Sequence, residues 1–181
     1  MIRYFILAVV LLTTSSRVNF KDYNNDIEKV KKRTGSVYNN NYCILIDYSI
    51  HSGLNRGFLV NLGTNRIEDS FLVMHGKGGK FSNVPNTNNT SLGIAVIKER
   101  GYSKYGNHIK YTLIGLDKSN SNIKRRSIVL HSSKYAPNFQ IYPINNGRSS
   151  GCPTVSMSVL SRISKIVESQ KNKKILIYSF K

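Results

Sequence analysis

A mostly β domain, an antiparallel sandwich or barrel with one late amphipathic helix and long loops, is the fold class that this 181-residue sequence predicts. Two observations predict it. From residue 42 onward, short runs rich in Ile, Leu, Val, Tyr and Phe are interrupted by Gly, Asn and Ser, at about the 8–12-residue spacing typical of all-β domains. One segment alone, between Val155 and Val167, carries apolar residues at helical rather than strand spacing. With 40% hydrophobic residues, 11 Tyr and 7 Phe, the chain has the apolar surface for one sizeable core.

The elements follow in order. Arg3 precedes the apolar run Tyr4 to Leu12, and Thr13-Thr14-Ser15-Ser16 follow. A charge, a short apolar stretch and a small-residue exit make residues 1–16 a secretory signal peptide, with the cut expected between residues 13 and 19. A bilayer span needs about 20 apolar residues, so membrane contact is expected only if this leader is uncleaved. The protein is therefore expected to be exported, to the periplasm or cell envelope. Residues 17–40, rich in Asn, Lys and Asp, read as a polar linker or cap, with a turn or two of helix from Asp26 to Lys32. A domain follows over 42–181. Strands are predicted at 42–48, 57–62 and 66–74, joined by turns at 52–55 and 63–65. Further strands are expected at 94–97, 108–116, 127–130 and 174–180. Val155, Val159, Leu160, Ile163, Ile166 and Val167 form one helix face over about 155–168, with Pro153 and Thr154 at its entrance. Loops at 75–91 and 132–151 are too rich in Gly and Asn for regular structure, and connections of that length are commonly functional.

Charge and cysteine content narrow the chemistry. The formal net charge is +18, and the leader removes only Arg3 from it. Such a field favours polyanionic partners or a solvated surface. The cations are scattered, with clusters at Lys29 to Arg33 and Lys124 to Arg126, and no nucleic-acid recognition motif accompanies them, so no nucleic-acid partner is expected. Two Cys and four His, without an HExxH or CxxC pattern, give no support to a metal, and no organic cofactor is implied.

The most informative segment is Gly147-Arg148-Ser149-Ser150-Gly151-Cys152-Pro153. Cys152 stands just before the predicted helix, where the dipole and unpaired N–H groups favour a thiolate. Gly151 permits close approach of a substrate backbone, and N–H groups beside the cysteine suit an oxyanion hole. His131, at the end of the strand beginning at Ser127, is a plausible base for this nucleophile. The competing reading is a Cys43–Cys152 disulfide, which would consume the thiol.

The ordered series Ile46-Asp47-Tyr48, Ser52-Gly53, His75-Gly76-Lys77-Gly78, Phe81-Ser82-Asn83, Ser91-Leu92-Gly93, Leu113 to Asp117, Arg126 to His131 and Gly147 to Pro153 resembles the murein L,D-transpeptidase catalytic domains. The resemblance is to the YkuD-related branch, whose nucleophile motif reads G-R-S-x-G-C-P, and it covers about residues 42–180. It implies an L,D-transpeptidase-like β-sandwich acting on peptidoglycan stem peptides through a Cys152 thioester. His131 is then the general base, oriented by a backbone carbonyl, and N–H groups at Gly151 and Cys152 hold the oxyanion. Arg148, Ser149, Ser150, His75, Ser82 and Asn83 are the expected substrate-binding residues. The wider family has His two residues before the cysteine, where this chain has Ser150. The product left open is a 3→3 cross-link or, with water as acceptor, a trimmed stem. The alternative is a non-catalytic peptidoglycan-binding module holding the Cys43–Cys152 disulfide.

Overall fold

The computed structural model describes residues 21–181. The predicted leader lies outside them. Ten strands and two helices follow in the order α1 (Asn24–Thr34), β1 (Tyr42–Asp47), β2 (Gly57–Asn61), β3 (Arg66–Phe71), β4 (His75–Gly76), β5 (Gly93–Tyr102), β6 (Ile109–Gly115), β7 (Val129–Ser132), β8 (Arg148–Ser149), β9 (Thr154–Val155), α2 (Met157–Ser169) and β10 (Leu176–Phe180), with a 3-10 turn at Lys118–Asn120. Eight strands form one mixed, barrel-like sheet in the order β3-β2-β1-β10-β5-β6-β7-β9, and β4 pairs with β8 beside it. The predicted meander is present as antiparallel β1-β2-β3.

Within the eight-stranded sheet, two pairings depart from the antiparallel expectation. The last strand, β10, inserts parallel to β1, with Cys43 opposite Leu176 and Asp47 opposite Phe180. It thereby separates β1 from β5, so the central strands have a neighbour on each side. The second departure, β9 parallel to β7, builds the site described below.

Alternation along the central strands feeds two cores. On one face Ile44, Ile46, Leu59, Ala95, Ile97 and Ile177 pack with Val159, Leu160, Ile163 and Val167 of α2. On the other face Cys43, Leu45, Val60, Ile94, Val96 and Leu176 pack with Ile27 and Val30 of α1 and with Tyr23. Burial on both faces explains why β1 and β10 read as unbroken apolar runs. Burial of one such Leu or Ile side chain contributes about 1.5–3 kcal/mol.

The short helix expected at Asp26–Lys32 is an eleven-residue element, Asn24–Thr34. Its mean composition is polar, but Ile27, Val30 and Thr34 fall on one buried stripe. Asp26 in the first turn and Lys31, Lys32 and Arg33 in the last complement the helix dipole. Its start is tied to the end of β1: Asp47, fully buried, accepts from Lys21 Nζ at 2.6 Å, Tyr23 OH at 3.2 Å and Ser49 N at 2.9 Å. Burial opposes its ionisation, yet the hydrogen bonds from Lys21 and Ser49 hold the carboxyl below the usual carboxylate range.

The second helix begins later than its apolar pattern suggested. Ser156 is the N-cap, its Oγ accepting from Val159 N at 3.3 Å, while Thr154 and Val155 belong to β9. Cys152 is therefore separated from the helix start by a strand, so the helix dipole expected to favour its thiolate is not adjacent.

Candidate active site

Three short segments converge at the open edge of the sheet. β7 delivers His131, β9 delivers Thr154 directly opposite it, and the turn between β8 and β9 carries Cys152. That turn is clamped from its far side. β4 pairs in parallel with β8, His75 opposite Arg148, and Lys77 N donates to Ser149 O at 2.8 Å. Met74 N donates to Thr154 O at 2.8 Å. Ser149 ties the turn internally: its Oγ donates to Cys152 O at 2.6 Å and accepts from Gly151 N at 3.1 Å. The Gly151 N–H, expected in the oxyanion hole, is thus already engaged. The Cys152 N–H makes no hydrogen bond among the described residues and is available to an oxyanion.

Gly151 has φ +115°, a conformation that L side chains rarely adopt. A Cβ there would lie 2.8 Å from Asn89 O, 3.0 Å from Ile128 Cδ1 and 3.2 Å from an Arg126 nitrogen. The Arg126 guanidinium fills this space for a reason. It donates to Ser82 O at 2.9 Å, Ser91 Oγ at 2.7 Å and Asn89 O at 2.5 Å, fastening both arms of the 75–91 loop behind the nucleophile turn.

The thiol and the imidazole are both neutral groups at rest. Burial pushes the Cys152 thiol above its ordinary value, against the opposing pull of the Val129 N–H, 3.4 Å from Sγ, and of Arg126. Burial holds His131 below the ordinary histidine value, partly countered by the Ser132 carbonyl. That carbonyl lies 3.0 Å from His131 Nδ1 and can only accept, so the proton sits on Nδ1 and Nε2 carries the lone pair. Ser132 is itself fixed, its buried hydroxyl donating to Asn107 Oδ1 at 2.7 Å. His131 Nε2 lies 3.0 Å from Thr154 Oγ1.

Cys152, His131, Arg148, Ser149 and Ser150 line one cleft of about 610 Å³, together with Thr154. Lys77, Lys104 and Lys134 join Arg148 on its walls, and none of its lining residues is acidic. Tyr105 leans on the His131 ring, 5.8 Å between centroids. Three of the expected substrate-binding residues do not line this cleft, and neither does Gly151. Asn83 donates to Lys118 O and Ser121 Oγ and accepts from Asn122 N, which holds its loop to the 3-10 turn. Ser82 caps Val84 N through its Oγ and meets Arg126 through its carbonyl. His75 accepts at Nδ1 from Arg56 Nη2 at 2.7 Å. Burial, then the charges of Arg56 and Arg148, press its pKa down to about 4, so it is neutral at pH 7.

Cys43 and Cys152 are both free, and they serve different faces of the sheet. Cys43 sits in the α1-side core and Cys152 packs against the α2-side core, so the Cys43–Cys152 disulfide expected as an alternative is not formed. Burial pushes the Cys43 thiol up to about 12, the behaviour of a small core residue. Among the described residues no group of three His, Cys, Asp or Glu could hold a metal ion, and no helix is long and apolar enough to cross a membrane.

Two participants were not singled out in the sequence. Arg126 belonged to a basic cluster indistinguishable from surface charge, and only its three acceptors reveal its place. Thr154 falls at the helix entrance in the sequence pattern, because nothing local marks residues 154–155 as a strand.

No curated protein sequence matches the chain. Solved structures do. Pgp2, a helical cell shape determining protein from Campylobacter jejuni, aligns over 84% of this chain and 54% of its own at 10% identity, with a TM-score of 0.50. Bd1075 from Bdellovibrio bacteriovorus aligns over 77% and 48% at 18% identity, TM-score 0.47. An L,D-transpeptidase from Xylanimonas cellulosilytica aligns over 77% and 60% at 11% identity, TM-score 0.43. The chain thus spans about half the length of the first two, and at 10% identity the likeness to Pgp2 is one of fold. The family model for the L,D-transpeptidase catalytic domain, YkuD_2, matches residues 14–178. That match runs from before α1 into β10 and takes in the whole Cys152 turn, and the chain belongs to the L,D-transpeptidase catalytic-domain family.

Proposed function

We propose that the chain is an exported cysteine acyltransferase that performs L,D-transpeptidation on peptidoglycan stem peptides. Membership of the family supports a peptidoglycan-related function. The observation that carries the finer reading is the shared cleft: a thiol, a neutral imidazole anchored on a backbone carbonyl, and four cations with no acid among them.

The chemistry follows from those groups. His131 Nε2 takes the proton of Cys152, and Sγ attacks the carbonyl of the L-centred diamino acid at stem position three. The carbonyl oxygen gains charge as the tetrahedral intermediate forms, and the Cys152 N–H donates to it. The intermediate collapses with the terminal D-residue as leaving group, its amine receiving the proton from His131. A thioester on Cys152 remains. An amine from a neighbouring stem then attacks the thioester, gives its proton to His131 and leaves a 3→3 cross-link, while the thiolate recovers the proton. Water in place of the amine yields a trimmed stem instead. Lys77, Lys104, Lys134 and Arg148 attract the carboxylates of the stem. Arg148, Ser149 and Ser150 are the proposed contacts along the nucleophile turn. His75, Ser82 and Asn83 support the walls behind it.

Intact mass after incubation with a carbapenem, a strained acyl donor, tests the nucleophile. Wild type and Cys43→Ala are expected to gain the adduct, and Cys152→Ala to remain unmodified. Absence of any adduct on a protein with a titratable free Cys152 removes the acyltransferase reading. Incubation with a tetrapeptide stem then separates the outcomes, because cross-linked dimers and trimmed tripeptides differ in mass.

A further inference from the structure

The Thr154 hydroxyl occupies the position between the two halves of the site. It lies 3.0 Å from His131 Nε2 and 3.3 Å from Cys152 O. Thr154 is 1% exposed, and parallel pairing of β9 with β7 places its Cα in register with that of His131. A hydroxyl has one proton to give and lone pairs to receive. Since Nδ1 of His131 is committed to the Ser132 carbonyl, Nε2 is an acceptor while the ring is neutral. The hydroxyl proton therefore goes to Nε2. Cys152 O is the other acceptor within reach, and rotation about the Cβ–Oγ1 bond alone carries the proton from one to the other.

We propose that Thr154 is a positioning residue for the base: a hydroxyl rotor that donates to neutral His131 and, once His131 carries the proton, accepts from it while donating to Cys152 O. This rests on the acyltransferase reading for its purpose. The proton count balances without a further group. In the resting state Thr154 O–H donates to Nε2 and Cys152 keeps its thiol proton. After transfer, Nε2–H donates to Oγ1, and the Thr154 proton points at Cys152 O. The charged arrangement gains more than the neutral one, because a hydrogen bond from a cationic donor is roughly twice as strong as one between neutral groups. Thr154 accordingly favours the protonated imidazole and hence the thiolate it accompanies. The same rotation frees the Nε2 lone pair for the incoming proton.

Thr154→Val keeps the shape and removes the hydroxyl, and Thr154→Ser keeps the hydroxyl. The readout is the rate of Cys152 alkylation by iodoacetamide against pH, measured in the Cys43→Ala background, together with the NMR titration of His131. Neither needs a wall substrate, so failure here is distinct from failure of the stem-peptide assay. The Val variant is expected to alkylate about tenfold more slowly near neutral pH, the scale of one charge-assisted hydrogen bond lost. Its His131 should titrate about one pH unit lower, and the Ser variant should return both values to near wild type. Wild-type alkylation and titration in a folded Val variant overturn the proposal. So does a Ser variant as impaired as Val, which would make the methyl packing the operative feature. If His131→Ala leaves alkylation unchanged, His131 is not the base, and both this proposal and the acid–base assignment fall.

Discussion

Gly151 is a residue whose side chain is fixed by its surroundings rather than by chemistry. Its φ of +115° and the 2.8 Å separation between a Cβ and Asn89 O leave no room for alanine unless the turn shifts. A displacement of about 1 Å in a reacting group can cost on the order of 100-fold in rate. Gly151→Ala is expected to lower acylation of Cys152 by about that factor while the protein still folds, checked by carbapenem adduct formation over time. The pH dependence of acylation is set at the same scale. His131 must be neutral to accept the thiol proton, and burial lowers its pKa, so the acid limb is expected below the ordinary value of 6.5. Cys152 is raised by burial above 9.0, so its alkaline transition lies above that. A plateau between the two limbs is the expected profile of acylation rate, and an acid limb well above pH 6.5 would contradict the neutral pair.

Two elements owe their position to single side chains. Arg126 joins residues 82, 89 and 91 to the back of the nucleophile turn, and its charge also pulls the Cys152 thiol down. Arg126→Gln removes the charge and part of the donor set. Alkylation of Cys152 should shift to higher pH, and hydrogen exchange at residues 77–91 should speed up. An unchanged alkylation profile would show that Arg126 acts on the loop alone. Helix α1 is held at its start by Asp47 through Lys21 and Tyr23. Asp47→Ala should cost about 1.5–3 kcal/mol, the scale of hydrogen bonds to a charged group. Urea unfolding measures that loss, and exchange protection should fall first in residues 24–34. Leu160→Ala, in α2 on the opposite core, should cost about 2–5 kcal/mol without altering α1 protection.

At the scale of the molecule, three groups make stability depend on pH in the same direction. His75, lowered to about 4, and His131, also lowered, stay neutral in the folded protein at pH values where the unfolded chain takes up protons. Their contribution is complete above about pH 6.5 and is lost as pH falls below it. Asp47, held below its ordinary range, adds a loss only as pH drops under about 4. The urea midpoint should therefore fall between pH 7 and pH 5, and His75→Gln should flatten that slope. A net charge of +18 also predicts that binding to anionic sacculi weakens as salt rises from about 0.05 to 0.5 M, because the Debye length shortens severalfold. Co-sedimentation with sacculi at the two salt concentrations reads this out, and salt-independent binding would remove charge as its source.

Local pattern determined much of this protein. Alternating and continuous apolar runs located β1, β2, β6 and β10 to within a few residues, because burial on one or two faces leaves its mark along the strand itself. β5 extends beyond the predicted 94–97 to Tyr102, since its far half is polar and exposed and carries no such mark. The motif around Cys152 and the strand-end His131 were legible too, because the proposed acyl transfer demands those residue types in those settings. The sequence by itself therefore determined the mostly β fold class, the late helix, the nucleophile turn and the identity of the candidate base. Only the tertiary structure decided that β10 pairs with β1, that Cys43 and Cys152 face different cores, that a half-buried arginine stands behind Gly151, and that Thr154 meets His131. The reason is physical: each of those four is a pairing between segments distant in the chain, fixed by register and packing, and neither side of such a pair records the other in its own pattern.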